Sequence, residues 1–205
     1  MPETERVLTK GQQTREEILK VALELSCSVG LDGMSIGALA EKTGLSKSGL
    51  YAHFESKEDL QCAVLDSAAD QFITNVLKIA FQAPRGIPRI EMIFDLWVDY
   101  KDEICGGGCP LIAAATDFDS RPGPVHDKVR YYIDGMLENL AKAVEIAKED
   151  GQFDPSLDTR LFAYEIWGIL LSYLHYRRLL RADDAIPLAK RAFGNLIERA
   201  VGPGS

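Results

Sequence analysis

The sequence predicts an all-α fold of about nine helices, on three observations. Apolar residues recur at three- and four-residue spacing along most of the 205-residue chain, strand-type alternation is nearly absent, and capping patterns stand before the apolar runs. With 46% apolar and 26% charged residues, the composition is that of a folded chain long enough to bury a core without staples.

Each element follows from local chemistry. Residues up to about Gln13 are polar without periodicity and read as an arm. Thr14 and Glu17 then form a capping-box pattern, and Ile18, Val21, Ala22, Leu25 and Val29 share one face until Gly30 stops the run. Ser35 is the expected N-cap of a short second helix, with Met34 reaching Leu39 as a hydrophobic staple and Gly44 at the end. The device repeats at once. Leu45 precedes the N-cap Ser46 and Leu50 holds the fourth helical position, so a third helix begins directly after a tight turn. Ser56 and Asp59 cap a long helix carrying Leu60, Val64, Leu65, Ala68, Phe72, Val76 and Ile79, which Pro84, Gly86 and Pro88 break. Ile90 to Ile104 is amphipathic through Ile93, Phe94, Trp97 and Val98. Gly106 to Val125 holds seven Gly or Pro residues in twenty around the apolar Leu111 to Ala115, and reads as a short helix between two loops. Helices from Val125 or His126 to Glu149, from Pro155 or Ser156 to Leu180, and from Pro187 to Val201 complete the chain.

Charge and composition exclude several function classes. Lys and Arg total 23 against 31 Asp and Glu, a formal net charge of −8, so any nucleic-acid contact has to be local. The longest apolar stretch, Ile166 to Leu171, is far shorter than the roughly 18 to 20 residues that span a bilayer. A polar N-terminus without the apolar core of a signal peptide points to the cytoplasm, a reducing compartment and four cysteine thiols. Cys105-Gly-Gly-Gly-Cys109 leaves a redox pairing open, whereas Cys27, Cys62, His53, His126 and His175 stand at no ligand-like spacing, and no metal site is expected. The sequence contains no Gly-x-Ser-x-Gly elbow, no Gly-Lys-Ser phosphate loop and no His-Glu-x-x-His motif, so catalysis is not expected.

The first 60 residues carry the strongest constellation. A helix, a tight turn and a second helix set the latter on a rigid platform, the geometry that inserts a helix into a major groove. Leu50 and Phe54 would point inward, while Ser46, Lys47, Ser48 and Gly49 crowd the helix start, where phosphates and base edges are met. Tyr51 and His53 add donors, and Lys42, Lys47 and Lys57 make a small positive cluster. Against this, residues 1–60 hold 7 basic and 10 acidic side chains, and helix–turn–helix pairs also occur in ordinary bundles. The residues alone leave both readings open.

The run from Ser35 to Leu60, and within it Gly44-Leu-Ser-Lys-Ser-Gly-Leu-Tyr-Ala-His-Phe-Glu-Ser-Lys57, resembles the DNA-binding signature of the TetR family of bacterial transcriptional regulators. The resemblance covers roughly residues 14–62. A second stretch, Gly107-Gly-Cys-Pro-Leu111 followed by Asp119-Ser-Arg-Pro-Gly-Pro124, resembles the ligand-binding region of one TetR subgroup. The resemblance implies a homodimer with an N-terminal three-helix DNA-binding domain, residues 1–57, and a C-terminal ligand-binding and dimerisation domain, residues 58–205. It also implies that Ser35, Ser46, Tyr51, His53 and Lys57 contact phosphates and that Lys47 and Ser48 approach bases. Gly37 departs from the family, which more often has a larger polar residue there; the expected cost is about 1 kcal/mol of helix stability.

For the C-terminal part, Phe94, Trp97, Tyr131 and Trp167 are the candidate effector-pocket residues, although aromatics at helical spacing serve equally well as core. The last two helices are the expected dimer interface, through Gly168, Leu170, Leu171 and Leu174 on one and Phe193, Leu196 and Ile197 on the other. Two-fold symmetry would place two recognition helices about 34 Å apart and so calls for a pseudo-palindromic operator. The expected function is a ligand-responsive regulator, a repressor released from its operator by an unidentified small-molecule effector, with no other cofactor. An activator, a regulator that needs its ligand to bind DNA, and a thiol or small-molecule sensor acting by protein contact are the alternatives. An effector acts in any of them only by preferring one conformer over another, with the fourth helix, which joins both domains, as the lever.

Overall fold

The structure, a computed structural model, describes residues 9–105 and 109–201, with side chains described except for residues 100–105. Among the described residues there are nine helices and no strand. Helix α1 spans Lys10–Val29 and starts earlier than its apolar face indicates. Thr9, not Thr14, is its cap: the Thr9 hydroxyl accepts from the Gln12 amide at 3.3 Å and the Gln12 side chain accepts from the Thr9 amide at 2.9 Å. Thr14 lies inside the helix and donates to the Lys10 carbonyl at 3.0 Å. The added first turn buries nothing, so hydrophobic periodicity carried no trace of it.

Helices α2 (Ile36–Thr43) and α3 (Lys47–Tyr51) begin at Ser35 and Ser46, whose hydroxyls accept from the Ala38 and Gly49 amides at 3.1 and 3.0 Å. Between them Gly44 takes φ +69°, a left-handed conformation that costs other residues roughly 1 kcal/mol, and its amide reaches back to the Ala40 and Glu41 carbonyls. That closed turn fixes the angle between the two helices. Leu39, Leu50 and Phe54 are buried with Ile18, Ala22 and Leu23 of α1.

Helix α4 (Lys57–Phe72) continues through a π-helical turn, Ile73–Leu77, to a last turn at Lys78–Ala80. It buries Leu60, Gln61, Ala63, Val64, Leu65, Ala68, Ala69 and Phe72, nearly its whole circumference. A helix covered all round needs neighbours on every side, and α4 has them in α1, in α6 (Pro110–Phe118) and in α7 (Pro124–Glu149).

The remaining helices are α5 (Ile87–Cys105), α8 (Thr159–Leu174, extended by a π turn at His175–Leu179) and α9 (Ala185–Val201). Pro88 sits in the first turn of α5 instead of breaking a helix before it, and Pro187 does the same in α9, because a first-turn residue has no intrahelical amide bond to lose. Asp158 caps α8 through the Arg160 and Leu161 amides at 2.9 and 3.0 Å, which moves its start past the expected Pro155 or Ser156. None of these helices is long and apolar enough to cross a membrane, among the residues described.

A polar clasp ties α4 to α7. Asp66 accepts from Lys128 Nζ at 2.8 and 2.9 Å and from the Tyr132 hydroxyl. Burial, and then the hydrogen bond to Asp66, push the Tyr132 phenol above its ordinary value. Cys62 and Cys109 are free thiols, while Cys27 is disulfide-bonded, which departs from the expected set of four thiols. With Cys109 a buried free thiol, the Cys105 to Cys109 pairing left open by the sequence is not formed. Gly106 to Gly108 and the Cys105 side chain lie outside the described residues.

A phenol whose pKa is raised on folding stabilises the fold below its ordinary value near 10, and that contribution is lost as pH rises through the folded value. Tyr132→Phe is therefore expected to flatten the fall in urea stability between about pH 9 and 11, and an unchanged slope would show that the clasp does not hold the phenol proton.

Candidate nucleic-acid interface

The exposed side of α3 is polar because its two apolar residues are spent underneath. Leu50 and Phe54 are buried, and Arg15 of α1 lies 4.9 Å over the Phe54 ring, so the end of α3 is clamped between apolar packing and a cation–π contact. What remains outward is Ser46, Lys47, Ser48 and Tyr51, the last half exposed. The Ser46 hydroxyl is already engaged as cap and lies 2.9 Å from that of Ser48, which leaves the Lys47 ammonium, the Ser48 hydroxyl and the Tyr51 phenol as outward groups. Ser35 stands exposed at the start of α2, and His53 is half-buried at the turn after α3. Ser35 Oγ and Lys47 Cε both lie beside Gly37, which sets the start of α2 against the start of α3. Lys57 turns inward and donates to the Asp32 carbonyl at 2.8 Å, so its ammonium is bound to the α1–α2 turn.

Gly37 faces Lys47. A β-carbon on Gly37 would lie 3.7 Å from Lys47 Cε and 3.9 Å from Ser35 Oγ, ordinary van der Waals distances. The absence of a side chain there opens the space beside the Lys47 stem, and α2 forms in spite of the glycine because Ser35 caps it and Leu39 and Ala40 are buried.

The four aromatic candidates for an effector pocket are distributed differently from that expectation. Phe94 stacks on Phe193 with ring centroids 4.1 Å apart, and Trp97 meets Phe72 of α4 edge-on at 4.9 Å, so both are closed core. Trp167 is half-buried, and Tyr131 is 72% exposed on α7. None of the four lines the recess between α6 and α7 or the groove between α8 and α9. The recess, of about 180 Å³, has Ala115, Phe118, Val129 and Ile133 as its floor and His126 and Arg130 at its rim. The groove is about 660 Å³.

Of the expected dimer residues, Gly168, which is exposed, and Leu196 line that groove, whereas Leu170, Leu174, Phe193 and Ile197 are buried within the subunit and Leu171 is half-buried. The side of α8 turned outward carries Leu161, Tyr164, Gly168, Ser172, Tyr176 and Leu179, a stripe at three- and four-residue spacing that is legible in the sequence once the opposite stripe is assigned to the core. Glu165 and Arg199 pair across the groove at 2.9 Å.

Residues 18–64 match the family described as bacterial regulatory proteins, tetR family, and residues 86–193 match the tetracyclin repressor-like C-terminal domain. The chain is 31% identical over 193 residues to the nucleoid occlusion factor SlmA of Photorhabdus laumondii subsp. laumondii, covering 88% of this chain and 94% of that one. It is 38% identical over 60 residues to the class C tetracycline repressor protein of Escherichia coli, a match that spans 29% of this chain and only 26% of that repressor. A TetR transcriptional regulator from Chloroflexus aurantiacus J-10-FL superposes with a TM-score of 0.81 at 28% identity, covering 93% of this chain and 96% of that chain.

With a β-carbon sterically accommodated at position 37, Gly37→Ala is expected to raise stability by about 0.5–1 kcal/mol in urea unfolding. A loss of stability would mean that α2 is not helical at that residue.

Proposed function

Because the chain belongs to the TetR family of bacterial transcriptional regulators, we propose that it works as a cytoplasmic homodimeric repressor, released from a pseudo-palindromic operator by a small molecule. One observation carries the reading. Lys47, Ser48 and Tyr51 form the outward edge of a helix locked from beneath by Leu50 and Phe54 and set by the left-handed turn at Gly44. A chain with net charge −8 has no diffuse attraction for DNA to offer, so this edge has to supply the affinity. Ser35, Ser46, Tyr51 and His53 are proposed to hold phosphates, and Lys47 and Ser48 to approach bases.

Selection from random duplex DNA at fixed salt is expected to recover paired, inverted half-sites. Lys47→Ala should weaken binding and lower the salt slope by about one, whereas an unchanged slope would remove Lys47 from the contact.

The α8–α9 groove is the proposed dimer face. The groove is small-sided at Gly168, Ser172 and Ala192, which lets a second copy of the two helices approach closely, and the outward stripe of α8 continues beyond it through the apolar Leu161, Tyr164 and Leu179. A β-carbon at position 168 meets nothing within 4 Å, so Gly168→Glu leaves the subunit intact and is expected to give a monomer by light scattering. A variant that stays dimeric would move the interface elsewhere.

The effector is proposed to work by shifting α4, the helix whose start carries the DNA-binding helices and whose far end packs Phe72 edge-on against Trp97. Such a ligand lowers operator affinity by the ratio of its affinities for the two conformers.

A further inference from the structure

The turn joining α1 to α2 is held from α4 at Leu31 and Asp32. Gln61 of α4 donates to the Leu31 carbonyl at 3.0 Å in a buried hydrogen bond, and Lys57 donates to the Asp32 carbonyl. Asp117 of α6 lies against Gly30, its Oδ2 3.2 Å from where a β-carbon would stand, in a backbone conformation of φ +78°.

Two further grips come from outside α4. Arg121, in the α6–α7 turn, places Nη1 2.7 Å from the Asp32 carboxylate. Arg178, in the π turn that follows α8, places Nη2 2.8 Å from the Cys27 carbonyl, one of the last four carbonyls of α1, where a cation also meets the negative end of the helix.

We propose that Arg121 and Arg178 are positioning residues for operator recognition, which fix where the DNA-binding helices sit relative to the dimer axis. The proposal rests on the DNA-binding and dimer readings above. The apolar packing of α1 against α4 is non-directional, whereas guanidinium hydrogen bonds to fixed oxygens select one arrangement. Arg178 has a particular place in that frame. It ends the helix whose exposed stripe is the proposed dimer face, so its bond to α1 joins the dimer axis to the DNA-binding helices without passing through α4. In a dimer, the spacing between two recognition helices is the quantity such a tie controls, and the half-site separation of the operator reads it out.

The experiment compares the full-length wild type with Arg121→Gln/Arg178→Gln and with Arg121→Lys/Arg178→Lys. The probe is a set of duplexes carrying the half-sites selected by the wild type at separations that differ by single base pairs. Dimerisation, melting temperature and binding to a single half-site are followed in parallel. The Gln pair is expected to keep its half-site sequence, its dimer and its single-half-site affinity, while its preference for the best separation over neighbouring ones falls roughly tenfold. The Lys pair, which keeps the positive charge and a longer reach than Gln, is expected to restore most of that preference. Undiminished discrimination in the Gln pair would overturn the proposal. So would an equal loss at all separations accompanied by a lower melting temperature, which is what a merely stabilising role gives. A wild type that recovers no paired half-sites would overturn the DNA-binding reading itself, and this proposal with it.

Discussion

The burial of α4 on nearly all sides is the constraint on which the rest of the structure depends. One stretch of sixteen residues has to satisfy the three-helix unit at its start and the larger helical body along the rest of its length. Leu60, Gln61 and Leu65 belong to a core shared with α1 and the α1–α2 turn, while Ala68, Ala69 and Phe72 lead into the core around Trp97. A helix that served only one body would show an exposed face, and α4 has little to show. Movement at Phe72 is therefore felt at Leu60 and beyond, because close-packed interiors shift between arrangements rather than deform.

The polar contacts around this helix divide the work differently from its apolar ones. Apolar burial holds the two bodies together, and the directional bonds of Asp66 to Lys128 and Tyr132 on one side, and of Gln61 and Lys57 to the α1–α2 turn on the other, determine how they sit. The exposed ion pairs are individually weak, about 0–1 kcal/mol, so their contribution lies in geometry more than in stability. Asp32 illustrates the point: the hydrogen bond from Arg121, with Lys57 nearby, holds its carboxyl below the usual range. That pairing persists through neutral pH and is lost only as the carboxylate is protonated in acid.

Much of this was legible in the sequence, and the parts that were not share physical reasons. Caps and turns are local, so Ser35, Ser46, Ser56 and Gly44 could be placed from their neighbours alone. The first turn of α1 buries no apolar residue, and periodicity reports only burial, so α1 starts ahead of its expected cap; Pro88 stands inside α5 because a first-turn residue gives up no intrahelical amide bond. An apolar residue on an amphipathic helix does not declare whether it faces its own subunit or another. For that reason Leu170, Leu174, Phe193 and Ile197, expected at an interface, fill the core instead, and the stripe through Leu161 and Tyr176 has no counterpart in that expectation. Lys57, Arg121 and Arg178 owe their roles to partners 25, 89 and 151 residues away, and no local pattern encodes such distances.

Amide hydrogen exchange on the full chain under native conditions tests the central claim most directly. If α4 is shared core, its amides from residue 60 to 72 exchange as one unit, only through global unfolding and with the highest protection in the molecule. If residues 60–65 instead open early together with α1 to α3 while residues 68–72 stay protected, the two bodies fold separately, and α4 cannot couple them.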